Sequence, residues 1–257
     1  MPYMRKVVQT YKRLGETPLQ AINRLRWESL EFVNEKMTYL GRLDPMAEGL
    51  LLVLVGDTSN KEEYLSLDKE YEFEVLWGFE SDTYDVLGIV KARRDSEFSS
   101  VSEPACGLSG ENSESLLVQI QNIKKQTYPP YSSKKVQGKQ LFEWARAGEE
   151  VERPERNIKI YSIEHLGNEE KTGIELLSEI MERIDLVKGD FRQEEIIEGW
   201  KKTLSPISNS KFLISKFRAH VSSGTYIRGL VQEMGEILGC GALTYSIKRT
   251  RVGEYSI

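Results

Sequence analysis

The chain has little of what staples or metallates a protein. It carries two cysteines, Cys106 and Cys240, and two histidines, His165 and His220, all far apart along 257 residues. That argues against a disulfide scaffold and offers no zinc-ligand spacing, and the scattered thiols suit a reducing cytoplasm. Two isolated histidines also give no Ser-His-Asp constellation, and there is no phosphate loop, GxGxxG or nucleophile elbow in convincing context. Long apolar runs are missing: the longest, Leu50 to Val55, suits a buried strand and falls far short of the roughly 20 residues of a membrane span. The N-terminus, MPYMRKVVQT, lacks the apolar stretch and cleavage site of a secretory signal. What is present, 39% apolar and 29% charged residues, places the chain with globular rather than disordered proteins, long enough for one large domain or two small ones.

The net charge of −5 opposes nucleic-acid binding until its distribution is read. Asp57 to Ser115 holds fifteen acids and five bases, and Gly167 to Trp200 ten and four. Three other stretches are basic: Met1 to Leu30 with six bases and two acids, Ile120 to Tyr161 with nine and five, and Lys211 to Arg251 with seven and two. Folding can bring these onto one face, which permits RNA binding without diagnosing it.

Hydrophobic spacing sketches an α+β chain. Leu19, Ile22, Leu25 and Trp27 predict a helix over Thr17 to Leu30, with Pro18 in its first turn. Gly41 to Pro45 reads as a turn that leads into the strand Leu50 to Val55. Tyr71, Phe73, Val75, Trp77 and Phe79 alternate with Glu72, Glu74, Leu76 and Gly78, the cleanest strand signal in the chain. Arg93 to Glu114 reads as a loop, Thr127 to Ser133 as extended, Leu141 to Ala147 as a helix and Ile158 to Ile163 as a strand. Ile174, Leu177, Ile180, Met181 and Ile184 predict one helix; Asp190 as a cap with Ile196, Ile197 and Trp200 predicts a second, and the acidic pair, 167–204, reads as a self-contained insertion. Phe212 to Val221 predicts a strand with Leu213, Phe217, Ala219 and Val221 on one face. Ile227 to Leu238 predicts a helix stopped by Gly239, and Ser246 to Val252 a last strand. Without regular βαβ alternation, a mixed or antiparallel sheet is expected.

Taken singly, the candidate functional residues favour bland readings. Asp44 precedes a proline, which is ordinary turn chemistry, yet a carboxylate there can be rigid and still face a cleft. Arg228 sits in the first turn of a helix, where a cation opposes the macrodipole by roughly 0.3–1 kcal/mol unless an acid faces it. Tyr71 heads an aromatic strand face, as a core residue or a platform for a flipped base. Lys134, Lys135, Lys139, Lys248, Arg249 and Arg251 are either solvated charges or phosphate contacts.

In combination they resemble a known family. Gly41-Arg-Leu-Asp-Pro-Met-Ala-Glu-Gly-Leu-Leu51 is similar to the TruB-family motif around its catalytic aspartate. Leu67 to Tyr71, Ser81 to Asp85, Gln126 to Gly148, Ser222 to Arg228, and Leu238 to Ala242 with Lys248 to Gly253 resemble further motifs of that family, in its order. The resemblance implies a single pseudouridine synthase domain over 1–257. Its central sheet is expected to be mostly antiparallel, flanked by helices, and interrupted by the helical insertion. It implies an isomerase that turns the uridine at position 55 of the tRNA T loop into pseudouridine, with no cofactor and no metal. The enzyme would be a cytoplasmic monomer that uses the T arm as partner and no membrane. Asp44 is then the catalytic carboxylate, Tyr71 the residue that stacks on the flipped base, and Arg228 the partner that keeps Asp44 ionised and oriented. Tyr226 and Ile247 line the uridine pocket, and Arg42 with the lysines and Arg249 binds RNA. The sequence departs from the pattern at Thr38-Tyr-Leu-Gly41, which lacks the family's histidine and leaves Tyr39 to substitute by stacking. It also departs at Ser133-Lys-Lys135 and at Pro129 and Pro130, which fall one position late, and a minimal form without a C-terminal PUA domain is expected.

Overall fold

The computed structural model describes residues 6–57, 59–91 and 111–257. Its centre is an eight-stranded sheet: β1 (Lys6–Lys12), β2 (Met37–Leu40), β3 (Ala47–Val55), β4 (Lys69–Trp77), β5 (Ile160–Thr172), β6 (Lys211–Val221), β7 (Ala242–Val252) and β8 (Tyr255–Ser256). The order is β1-β3-β7-β4-β6-β5, with β2 paired to β3 and β8 to β7. Only β3 and β7 run parallel, Ile247 lying beside Ala47; every other pairing in this sheet is antiparallel, so the expected mixed, mostly antiparallel sheet is what forms. Where β3 meets β7 the backbones nearly touch. A Cβ on Gly49, at φ +110°, would lie 2.3 Å from the Arg249 carbonyl oxygen.

The seven helices among the described residues are α1 (Pro18–Glu28), α2 (Lys61–Leu65), α3 (Glu111–Gln121), α4 (Leu141–Arg146), α5 (Gly173–Leu186), α6 (Gln193–Leu204) and α7 (Ile227–Leu238). Alternation along the strands divides the core. Tyr71, Phe73, Val75 and Trp77 of β4 with Phe217, Ala219 and Val221 of β6 pack against α3 and α7. Leu76, Ile214, Leu243 and Tyr245 belong to the other face, which α5 and α6 cover with Leu176, Ile180, Ile184, Ile196, Trp200 and Leu204.

Several sequence expectations change. Helix α1 begins as read, with a reciprocal Thr17–Gln20 capping box and Pro18 in its first turn. Its buried face, however, is Pro18, Ala21 and Ile22, while Leu19 and Trp27 are exposed. The Arg93-to-Glu114 loop lies outside the described residues except at its end, where α3 starts at Glu111. Residues 167–172 are strand, not insertion: β5 runs on to Thr172, whose own capping box with Glu175 starts α5. The two helices are part of the main core rather than self-contained. Their buried α5 positions include Leu176, whereas Ile174 is exposed. Helix α6 is capped by Arg192 in the left-handed region, not by Asp190. In β6, Leu213, Phe217, Ala219 and Val221 share one face as read, and β7 begins four residues earlier than read, at Ala242. Cys240 is buried and disulfide-bonded, in place of the free thiol that a reducing cytoplasm suggested.

Candidate active site

A cavity of about 750 Å³ opens between the turn after β2, the start of β4, the residues before and at the start of α7, and the connections around 83–87, 131–146 and 191. Asp44 sits on its wall. The turn that carries it is tied down through its backbone: Ala47 N–H donates to Asp44 O at 3.0 Å and Gly15 N–H to Pro45 O at 2.9 Å. Buried Lys12 donates to the Ala47 carbonyl. The Asp44 side chain remains one-third exposed.

Arg228, 3% exposed at the start of α7, faces Asp44. Its Nε and Nη2 both lie 2.8 Å from Oδ2, which leaves Oδ1 unclaimed by the arginine. Nη1 donates to Thr83 O at 2.5 Å and Nη2 to Tyr131 O at 3.1 Å. A second carboxylate, Asp85, stands 3.6 Å from Nε. The solvent-facing reading of Arg228 therefore fails, and the acid required to offset its place in a helix first turn is supplied twice. Burial disfavours its charge, but Asp44 and Asp85 outweigh that and raise its pKa. Asp85 is itself pushed up to about 6 by burial, against the pull of Arg228 and a 2.7 Å hydrogen bond from Thr83 Oγ1. Asp85 has no role assigned from the sequence beyond its place in a motif; its signal is the Ser81-Asp-Thr-Tyr-Asp85 run, in which the Thr83 hydroxyl donates to the Asp85 carboxylate and the Asp85 and Asp82 carboxylates accept from the Leu87 and Ile89 amides.

The other expected site residues divide. Tyr71, Tyr226, Ile247, Tyr39 and Arg42 all line the cavity with Asp44 and Arg228. Tyr226 is fixed from behind by Gln126, a residue with no assigned role in the sequence reading. Gln126 Oε1 accepts from Tyr226 N at 2.8 Å and its Nε2 donates to Tyr226 O at 3.0 Å. A Cβ on Gly229 would lie 2.7 Å from that Nε2, so the glycine makes room for the clamp. Lys134, Lys135 and Lys139 are exposed on the hairpin and turn beside the lining residues Ser132, Ser133 and Phe142, but do not line the cavity themselves. One expectation is corrected. Arg249 is 1% exposed and donates from Nε, Nη1 and Nη2 to the carbonyls of Leu50, Arg42 and Gly41. It touches the cavity, but as a brace for the Asp44 turn rather than a surface phosphate contact. Lys248, in the alternate strand position, is not a lining residue and pairs in register with Glu48 and Glu72. Arg251 is likewise engaged, with Glu70 and the Gly253 carbonyl. Among the described residues no three metal-ligating side chains converge, and no helix is long and apolar enough to cross a membrane.

A part-exposed carboxylate oriented by a buried guanidinium, on the wall of a cavity lined by Tyr39, Tyr71, Tyr131 and Tyr226, has the make-up of an enzyme active site. Comparison with known proteins narrows that class. Residues 30–189 match the TruB family pseudouridylate synthase N-terminal domain. The tRNA pseudouridine synthase B of Bordetella avium is 33% identical over 223 residues, which cover 86% of this chain and 71% of that protein. The protein of the same name from Fusobacterium nucleatum is 30% identical over 256 residues, 99% of this chain and 70% of that protein. That of Thermosipho melanesiensis is 28% identical over 255 residues, 99% and 66%. The fold is similar to one in the crystal structure of a Cbf5-Nop10-Gar1 complex, with a TM-score of 0.54 at 20% identity over 97% of this chain and 49% of that one. The chain belongs to the TruB family of pseudouridylate synthases, isomerases that convert uridine to pseudouridine.

Proposed function

We propose that the chain isomerises the uridine at position 55 in the T loop of tRNA, and that Asp44 carries the chemistry. The observation that supports this most directly is Asp44 on the cavity wall, held at 2.8 Å by buried Arg228 with its second oxygen left over for substrate. The uridine flips out of the T loop into the cavity, against Tyr71 with Tyr226 and Ile247 around it. Asp44 attacks C1′, or assists a glycal intermediate, as the N1–C1′ bond breaks. The base rotates, C5 bonds to C1′, C5 loses its proton and N1 gains one, so the atoms of uridine and pseudouridine balance. Tyr71 stacks on the base and serves the proton transfer. Arg228 orients Asp44 throughout, and Tyr39 stacks where relatives have a histidine. Residues 1–257 act as one catalytic domain, a cytoplasmic monomer that holds the T arm through Arg42, Lys134, Lys135 and Lys139.

The test is single-nucleotide pseudouridine mapping on an unmodified tRNA transcript, with wild type beside Asp44→Asn. Product at the T-loop uridine with wild type only is the expected result. Product elsewhere would move the substrate assignment, product with Asp44→Asn would remove Asp44 from the chemistry, and saturable tRNA binding without product would mark a binder instead.

A further inference from the structure

The connection between α5 and α6, residues 187–192, reaches from one face of the sheet to the cavity on the other. Its base is pressed against the β1–α1 connection that ties down the Asp44 turn through Gly15 N–H and Pro45 O: a Cβ on Gly15 would lie 2.5 Å from the Leu186 carbonyl oxygen. The turn is rigidly built. Gln193 Oε1 accepts from Phe191 N at 2.9 Å, and Gln193 Nε2 donates to Val187 O at 3.2 Å and Gly189 O at 2.6 Å. Arg146 Nη2 donates to Asp190 O at 3.0 Å. Arg192 lies at φ +61°, a left-handed conformation that costs a non-glycine residue energy. In that conformation its guanidinium pairs with Asp82 at 2.8 Å and lies 4.7 Å over the Tyr131 ring. Asp82 and Tyr131 neighbour Thr83 and the Tyr131 carbonyl that hold Arg228, so the strained residue fastens the turn to the wall of the active site. Between these anchors Phe191 stays half-buried and lines the cavity, next to Arg146 and Phe142.

Covering the end of a sheet requires none of this. The apolar load of α5 and α6 is carried by Ile180, Ile184, Ile196 and Trp200, away from the turn. A half-buried aromatic in a cleft bordered by exposed cations, Arg42 and Arg146, matches the stacking-plus-phosphate pattern by which proteins hold unpaired nucleotides. We propose that the α5–α6 turn is an RNA-positioning element, in which Phe191 stacks on an unpaired nucleotide adjacent to the flipped uridine and Arg192 fixes the turn in place. The inference rests on the proposed function for the identity of the RNA, but its test reads binding rather than product.

The probe is a tRNA T-arm hairpin with 2-aminopurine placed on either side of the target uridine, titrated with wild type, Phe191→Ala, Phe191→Tyr and Arg192→Gly. Loss of one aromatic–base stack predicts about tenfold weaker binding for Phe191→Ala, loss of the quench of one flanking 2-aminopurine, and near-complete recovery in Phe191→Tyr. The rate at saturating enzyme falls by less than the affinity does. Arg192→Gly relieves the backbone strain yet frees the turn, so RNA binding weakens severalfold while the melting temperature holds. Unchanged affinity and unchanged quench in a folded Phe191→Ala would overturn the proposal, as would equal loss in Phe191→Ala and Phe191→Tyr. If wild type binds the hairpin but makes no pseudouridine, the proposed reaction fails while the Phe191 result still decides the turn's role.

Discussion

At the scale of single residues, the site turns on how many acids share Arg228. Asp44 is 184 positions away and Asp85 stands 3.6 Å from the same Nε. Burial raises Asp85 from the ordinary 3.8 to about 6. Because the folded-state value lies above the unfolded one, the folded protein favours the protonated form. That contribution to stability is fully present below about pH 4 and is lost as pH rises through about 6, a span worth on the order of 3 kcal/mol. Asp85→Asn stays neutral at every pH. Denaturant titrations at a series of pH values are therefore expected to show the variant gaining on wild type between about pH 4 and 6 and running parallel above that. Single-turnover pseudouridylation at pH 7 should fall about tenfold or more, because Arg228 loses the second charge that holds its Nε in place beside Asp44. A pH-independent difference in stability would mean that Asp85 does not titrate in this window. The sequence carried half of this arrangement. A cation in a helix first turn asks for an acid, and Asp44 in an Asp-Pro turn was a candidate; but which acids arrive is set by a sheet that joins segments far apart, and no local spacing encodes it. Arg249 shows the same limit from the other side: in sequence it is one of a basic cluster, and only the approach of Gly41, Arg42 and Leu50 turns it into a buried brace.

At the scale of elements, strands were legible where one face is uniformly apolar, as in β4, and less so where both faces are used. Strand β6 keeps one alternation, with Leu213, Phe217, Ala219 and Val221 turned to one core as read, while its even positions Phe212 and Ile214 add to the other core, which a single apolar face does not announce. Helix α1 was found by its cap and given the wrong face, because Leu19 and Trp27 look like core residues and are exposed while small Ala21 is buried. The β3–β7 crossing is the element-level feature with the sharpest steric demand. Parallel pairing puts Gly49 beside Arg249 at φ +110°, and an added Cβ would meet the Arg249 carbonyl oxygen at 2.3 Å and its nitrogen at 2.8 Å, both backbone atoms with little freedom to move. Gly49→Ala should therefore cost about 3 kcal/mol, from overpacking together with a disfavoured backbone. Urea unfolding measures it. A loss under about 0.5 kcal/mol, within the usual range of neutral substitutions, would mean that the two strands separate easily. The same variant should lose activity beyond its loss of stability, since β3 begins where the Asp44 turn ends.

At the scale of the whole molecule, a protein of net charge −5 has to hold a polyanion. The cations around the cavity are not equivalent. Lys69 donates to the carbonyls of Leu65 and Leu67, Arg228 to the Asp44 carboxylate and two carbonyls with Asp85 beside it, and Arg249 to three carbonyls; all three are buried and committed to the protein. The exposed ones are Arg42 and Arg146 on the cavity wall with Lys134, Lys135 and Lys139 beside it, five charges gathered on one side while the acidic helices α5 and α6 cover the opposite sheet face. Electrostatic attachment should then come from about five phosphate contacts at most. Each releases on the order of 0.7–0.9 counterion, so a plot of log Kd for a T-arm hairpin against log salt concentration is expected to have a slope of about 3.5–4.5. Substituting one exposed cation, as in Lys135→Ala, should lower that slope by nearly one while leaving the melting temperature unchanged. Lys248→Ala, whose side chain lies in the alternate strand position between Glu48 and Glu72, should leave the slope alone. A slope near zero would mean that the RNA is held by stacking and shape with little charge neutralisation. An equal effect of the two substitutions would place RNA across the far face of the sheet, and the cavity would then be only part of a larger binding surface.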